Sequence, residues 1–145
     1  MEYLKIMFLS MVPVTELRGA IPIGVTQGLN TIGVYVASVI GSTLVAIPLI
    51  LFYRQVVNFL RDKMLFVNIL NKVDNKIERS MKKMKAASLL GIIVFVGIPL
   101  PTTGTWTAAA IASILRMRVL QALSGIFIGN CIAGIIVLFL SHAIF

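Results

Sequence analysis

The fold is decided by the stretch GIPLPTTGTWT, residues 97–107. This stretch lies in the middle of a run without charged residues, 86–115. Pro99 and Pro101 each lack a backbone N–H donor, and each disfavours helix in the residue before it. We therefore predict that one helix ends here and another begins, with a short arm on each side.

The composition indicates what surrounds these arms. The chain has 145 residues, of which 59% are hydrophobic and 12% charged, with a net charge of +8. A soluble domain is typically about 45–50% apolar and about 25% charged. So few charges cannot cover a water-facing surface, which excludes an ordinary cytosolic enzyme and a disordered tail. The single cysteine, Cys131, excludes a disulfide-stabilised secreted domain. We predict one all-α integral membrane domain over 1–145.

Two stretches have the length of simple membrane-crossing helices. A helix needs roughly 20 apolar residues to cross the hydrocarbon, and 31–53 and 119–141 satisfy this requirement. Each arm of 86–115 is too short to cross alone. That region predicts two half-helices joined at membrane depth, either as a re-entrant hairpin or as one long broken helix.

The N-terminal region 6–29 has the same pattern. An apolar arm reaches Pro13, and further predicted helix breakers follow at Gly19, Pro22 and Gly24. We predict a second pair of half-helices, with the chain turning between Pro13 and Pro22.

The positive charges favour the hairpin over the broken helix. Cytoplasmic flanks carry the excess of Lys and Arg, and 54–85 holds nine basic residues against three acidic ones. A hairpin over 86–115 places Arg116 and Arg118 on the same side as this cluster. The stretch 54–85 is then cytoplasmic, and both termini and the first hairpin lie outside. Within it, 55–85 has apolar residues at roughly helical spacing among Lys and Arg, which predicts an amphipathic helix at the cytoplasmic interface.

The two halves of the chain are similar when one is shifted by 88 positions. Identical pairs include Pro13 with Pro101, Thr15 with Thr103, and Ala20 with Ala108. A hairpin plus one crossing is an odd number of crossings, so two such units are inverted relative to each other. We predict an inverted repeat of 1–54 and 86–145, each a re-entrant helical hairpin plus one transmembrane helix, a plan that recurs among transporters.

Glu16 and Arg18 are the only charges between Lys5 and Arg54. A charge in hydrocarbon costs at least roughly 2.5–3.5 kcal/mol, so such residues face protein or water and often mark a pathway. One interpretation gives Glu16 a proton or a cation and Arg18 an anionic group such as a phosphate. The other is a mutual ion pair, or capping of the broken helix ends.

The polar residues of the second break have two interpretations as well. The N-terminus of a half-helix offers free backbone donors, and with the threonines it suits an anion or a polar headgroup. Alternatively, the threonines satisfy orphan backbone groups. Trp106 is a candidate for stacking on a substrate, and Asn130 for hydrogen bonding to a hairpin. The predicted substrate-binding set is Thr15, Glu16, Arg18, Pro22, Pro99, Pro101, Thr102, Thr103, Gly104, Trp106 and Asn130.

The motifs ELRGAIP (16–22) and GIPLPTTGTWT (97–107) resemble the small multidrug export protein family, which is distantly related to the DedA membrane proteins. The resemblance implies two facing re-entrant hairpins. The DedA relationship implies a lipid carrier, with undecaprenyl phosphate and phospholipids as candidate cargoes. DedA-type proteins carry further acids and an arginine in the second hairpin. The aligned hairpin here has none, so that chemistry is not carried over to it.

These observations predict a secondary carrier or flippase for an anionic lipid, with proton coupling through Glu16. The alternatives are efflux of cationic amphiphilic drugs and a non-transporting membrane scaffold. We expect no enzymatic activity, no cofactor, no metal and no nucleic-acid partner. The expected partners are membrane lipids, an amphipathic substrate, protons and further copies of the chain, as a homodimer or larger assembly.

Overall fold

The computed structural model describes residues 1–61, 72, 81–100 and 103–145. Every regular element in these ranges is an α-helix. The helices within these ranges are α1 (Glu2–Met11), α2 (Glu16–Thr26), α3 (Thr31–Arg61), α4 (Met81–Gly97), α5 (Thr105–Ile114) and α6 (Val119–Ile144).

The two long helices, α3 and α6, pack against each other in antiparallel orientation. At one end Thr31 Oγ1 lies 3.4 Å from His142 Nε2. At the other end the Arg54 guanidinium donates to the carbonyl of Met117, just before α6. The helices contain 31 and 26 residues, and both are long and apolar enough to cross a membrane. The two crossing helices predicted from the sequence are confirmed as apolar helices, and both extend beyond the predicted ends.

The first short helix runs parallel to α3 and stops beside its middle. The Tyr3 ring packs on Gly33, close to the start of α3. Further along, the Ser42 hydroxyl donates to the carbonyl of Ser10 over 3.1 Å. The chain then breaks at residues 12–15, and α2 returns along the first half of α3.

The second pair of short helices has the same relation to α6. Ile92 in α4 packs on Gly125, and Val96 packs on Gly129 near the middle of α6. The chain breaks between Gly97 and Thr105, where the sequence predicted it.

The second arm of each pair packs on the long helix of the other half. The Ser113 hydroxyl in α5 lies 3.4 Å from the carbonyl of Ile50 in α3, and α2 packs on α6. Two apolar cores result. One is centred on Ile6, Leu17, Ala20, Ile21, Val34, Ala133 and Val137. The other is centred on Ala46, Leu49, Ile50, Ile92, Val96, Ala108, Ala109, Ala112, Met117, Ala122 and Ile126.

Two boundaries predicted from the sequence are wrong. Gly19, Pro22 and Gly24, which were predicted as helix breakers, lie inside α2 rather than in the break. The missing N–H of Pro22 costs one helical hydrogen bond, and the burial of Ala20 and Ile21 beside it offsets that cost. Residues 55–61 continue α3 rather than begin the interfacial helix. Most of the predicted helix 55–85 lies outside the described residues.

Candidate functional site

The two chain breaks meet at the middle of the long helices, and Glu16 lies where they meet. It is the first residue of α2, and its side chain is almost fully buried, with a relative exposure of 6% for the residue. Its φ is +45°, a left-handed conformation that costs a non-glycine residue roughly 1–2 kcal/mol. The fold therefore retains a glutamate at a backbone position where glycine would be less strained.

The Glu16 carboxylate occupies the N-terminus of α5. The backbone N–H groups of Thr105 and Trp106 donate to it, and these are orphan donors of the first turn of α5. A Cβ at Gly104 would overlap the carboxylate, so the approach depends on the absence of a side chain there. The anion predicted at this helix end is thus supplied by the protein itself.

Arg18, the third residue of α2, links Glu16 to the second pair of short helices. Its Nη1 donates to Glu16 Oε2 over 2.9 Å. Its Nη2 lies within hydrogen-bonding distance of the carbonyls of Thr103 (2.9 Å), Val96 (3.1 Å) and Ile98 (3.3 Å). These carbonyls belong to the C-terminal end of α4 and the break that follows, where orphan acceptors need a donor.

Trp106 makes the reciprocal contact. Its Nε1 donates to the carbonyl of Met11 over 3.1 Å, and Met11 is the last residue of α1. Arg18 and Trp106 are equivalent under the shift of 88 positions. We call the contacts of Arg18 with the α4 end and of Trp106 with the α1 end the reciprocal caps.

The threonines of the two breaks satisfy local backbone groups. Thr15 Oγ1 donates to the carbonyl of Leu9 over 2.6 Å, and Thr103 Oγ1 donates to the carbonyl of Ile98 over 2.7 Å. The ion pair, the capped helix ends and the bonded threonines are the structural alternatives that the sequence left open, and all of them are present.

A cavity of about 310 Å³ adjoins the ion pair. Beside it, Arg18 retains an unused donor, because its Nε is buried and has no hydrogen-bond acceptor among the described residues. The cavity is lined by Pro13, Val14, Thr15, Glu16, Arg18, Gly19 and Pro99.

The predicted site residues fall into several groups. Thr15, Glu16, Arg18 and Pro99 line the cavity. Thr103, Gly104 and Trp106 surround the ion pair. Asn130 is buried, with its side chain 3.3 Å from the hydroxyls of Thr105 in α5 and of Thr43 in α3. Pro22 is half-buried and is not among the cavity-lining residues. Pro101 and Thr102 lie outside the described residues.

Sequence reasoning missed two kinds of participant. Pro13, Val14 and Gly19 line the cavity but are not among the predicted site residues, because the sequence marked Pro13 and Gly19 only as helix breakers and Val14 not at all. The carbonyls of Val96, Ile98 and Met11 accept the reciprocal caps, and the only sequence signal for them is the rule that broken helices leave orphan carbonyls. Within the described ranges, no three His, Cys, Asp or Glu side chains lie together as metal ligands.

Two apolar helices of membrane-crossing length, with two pairs of shorter helices around a buried ion pair, are typical of a helical membrane protein. The chain belongs to the family described as "Putative small multi-drug export protein", whose family model matches residues 16–136. That description is of an export protein, a kind of transporter rather than an enzyme. No curated protein and no solved structure shows significant similarity to the chain. The family predicted from the two motifs is confirmed, and the DedA relationship stays a prediction.

Proposed function

We propose that this protein is a secondary transporter whose moving parts are the two hairpins and whose gate is the Glu16–Arg18 pair. The observation that carries the proposal is the bridge made by Arg18. One guanidinium holds a buried carboxylate of its own hairpin and three carbonyls of the other. Separating the hairpins therefore requires that these contacts break together.

The packing supports re-entrant hairpins in an inverted repeat. If α3 and α6 span the bilayer, α1 and α4 start at opposite faces, because each runs parallel to one of two antiparallel helices. Each stops beside the middle of its long helix, as the pairs Ser10–Ser42 and Val96–Gly129 indicate. Each hairpin then turns inside the membrane, where irregular backbone is tolerated if it lines a cavity or is buried in protein. We also propose that the basic linker 54–85 is cytoplasmic, because cytoplasmic flanks carry the excess of Lys and Arg.

Alternating access follows from rocking of one hairpin against the other. Protonation of Glu16 removes the negative charge that holds Arg18 and that accepts the N–H groups of α5. Loss of these contacts weakens the closed arrangement, so a proton gradient can bias opening toward one side. Because the proton binds to the same group that holds the gate, coupling needs no second titratable residue.

The cargo that we propose is an anionic lipid such as a phospholipid or a polyprenyl phosphate. The buried Nε of Arg18 has no acceptor among the described residues. When the hairpins separate, it becomes available for a charge-assisted hydrogen bond to a phosphate oxygen. The adjoining cavity of about 310 Å³ admits a headgroup but not two acyl chains, so the chains would remain in the bilayer.

Efflux of cationic amphiphiles is the second candidate, and the family description favours it. In this case the cation replaces Arg18 at the Glu16 carboxylate. The same cavity is used, but the essential charge is then Glu16, and an uncharged substitute at this position abolishes transport of the drug.

Transport in proteoliposomes distinguishes these functions. A fluorescent phosphate lipid and a cationic dye are followed with and without a pH gradient, for the native protein, Arg18→Ala, Arg18→Lys and Glu16→Gln. We expect lipid flux that falls at least about tenfold in Arg18→Ala and is partly restored in Arg18→Lys. The matched control is Arg118→Gln, which removes an exposed arginine far from the cavity.

The outcomes that contradict the proposal are distinct. Lipid flux unchanged in Arg18→Ala rejects the anionic cargo, and dye flux lost only in Glu16→Gln selects the cationic one. No flux of either probe from folded protein selects the membrane scaffold. Thermal unfolding of each variant in detergent separates loss of function from loss of fold.

We also propose that the protein assembles as a homodimer or larger oligomer. Two crossing helices give little cover to two hairpins, and large apolar side chains such as Phe8, Phe127 and Phe139 are exposed on the single chain. Mass measurement in detergent tests this proposal, and a mass equal to one chain contradicts it.

A further inference from the structure

A second cavity of about 310 Å³ lies near the end of α3 that faces the start of α6. It is separate from the ion pair and is lined by Arg54, Val57, Asn58, Ser113 and Arg116. We propose that it binds a phosphate group, supplied by the headgroup of an anionic lipid, as a site separate from the transport cavity. The proposal does not depend on transport.

The first arginine of this cavity is held in place by the backbone. The Arg54 guanidinium donates through Nη2 to the carbonyl of Met117. A guanidinium has five N–H donors, so one contact with a carbonyl leaves others for a ligand. The anchor fixes the position of the charge, which lowers the entropic cost of binding an anion there.

The second arginine occupies a backbone position that favours glycine. The N–H of Arg116 donates to the carbonyl of Ser113, and the N–H of Met117 donates to that of Ala112. This is the Schellman pattern of a helix C-terminus, in which the left-handed residue is usually glycine. Arg116 has a φ of +54°, at a cost of roughly 1–2 kcal/mol. Its side chain nevertheless lines the cavity.

The described lining residues include two arginines, Arg54 and Arg116, and we place the cavity at the level of the lipid headgroups. None of the described residues that line it carries a carboxylate. Elsewhere in the described part of the chain, Glu2 and Glu16 are paired with Lys5 and Arg18. The cavity lies where the apolar length of α6 begins and that of α3 nears its end. That level is where headgroup phosphates lie in a bilayer, and arginine pairs suit their oxygens.

Thermal unfolding in a neutral detergent tests the site without any transport step. Titrations use phosphatidylglycerol, phosphatidylcholine and inorganic phosphate as separate arms. We expect phosphatidylglycerol to raise the unfolding temperature at the lowest concentration. In Arg116→Gln the concentration needed increases about tenfold, which corresponds to about 1.4 kcal/mol. Arg116→Gly should show the same weakened binding while unfolding no earlier than the native protein without lipid, because glycine relieves the left-handed residue.

Arg118→Gln is the matched control, since Arg118 is exposed, lies two positions away and does not line the cavity. It should leave the titration unchanged. An equal loss in Arg118→Gln, or an unchanged titration in Arg116→Gln, overturns the proposal in favour of a general basic surface. A response to inorganic phosphate as strong as that to phosphatidylglycerol overturns the lipid as the source of the phosphate.

Discussion

Arg18 and Trp106 stand at equivalent positions of the two halves of the chain, and each donates to the end of the other half's first helix. Arg18 Nη2 reaches the carbonyl of Val96 over 3.1 Å, and Trp106 Nε1 reaches that of Met11 over 3.1 Å. The cationic guanidinium of Arg18 and the neutral indole of Trp106 thus each cap a helix end, but only the guanidinium brings a charge into the site. Only the half that contains Arg18 also needs a counter-ion, and Glu16 supplies it.

Replacing Gly104 should disturb the ion pair directly. In Gly104→Ala the new methyl group overlaps the Glu16 carboxylate, and such overpacking typically costs about 1–3 kcal/mol. We expect this loss in the free energy of unfolding, measured by denaturant titration in detergent. Gly91→Ala is the control, because a Cβ at Gly91 meets nothing within 4 Å and alanine favours the helix. Equal stability of the two variants would show that the carboxylate does not lie against Gly104.

The Glu16–Arg18 pair should behave as one energetic unit. Removing either partner alone leaves a buried charge uncompensated, at a typical cost of about 3–5 kcal/mol. We expect Arg18→Ala and Glu16→Ala each to destabilise by this amount. The double variant should lose less than the sum, with a coupling of about 1–3 kcal/mol in a double-mutant cycle. Additive effects would mean that the two side chains act independently.

The cap made by Trp106 should have a smaller effect than that of Arg18. Trp106→Phe keeps the ring but removes the N–H, so the carbonyl of Met11 loses a neutral hydrogen bond, worth about 1 kcal/mol. Unfolding of the purified protein measures this change. Thr107 is an exposed neighbour on the same helix, so Thr107→Ala should leave the free energy of unfolding unchanged. A decrease in Thr107→Ala equal to that in Trp106→Phe contradicts the capping role.

Water access to the cavity can be measured with thiol reagents. After Cys131 is replaced by serine, Thr15→Cys should react with a water-soluble maleimide, because Thr15 lines the cavity. Ala20→Cys, five residues further along in α2 and with 0% exposure, should stay unreacted in the folded protein. Silence at both positions would indicate a sealed site and would favour the scaffold over a transporter.

Much of the fold follows from local properties of the sequence. The apolar length of α3 and α6 predicts the two crossing helices, and the closely spaced Pro99 and Pro101 predict the break after α4. The break predicted to extend to Pro22 is wrong because a single proline costs only one hydrogen bond, and burial of its neighbours in α2 offsets that loss. The balance depends on tertiary packing, which a local pattern does not contain.

The charged residues of the site could be predicted from the sequence, but the groups that they contact could not. Glu16 and Arg18 are conspicuous because no other charge lies near them in the sequence. Outside the pair, their partners are backbone groups of residues 96–106. Nothing in the sequence distinguishes these backbone groups from others, because the contacts form only when the two halves pack together. The second cavity was missed for the same reason, since Arg54 and Arg116 belong to different halves of the chain.

The reciprocal caps have a consequence for biogenesis. The bonds of Arg18 to Val96 and Thr103 span 78 and 85 residues of sequence. During synthesis the N-terminal half therefore leaves the ribosome before its partner residues exist. Until then the Glu16–Arg18 pair and the carbonyl of Met11 lack their contacts with the second half. The contacts of Arg18 with the second half can therefore form only after residues 96–103 have been synthesised.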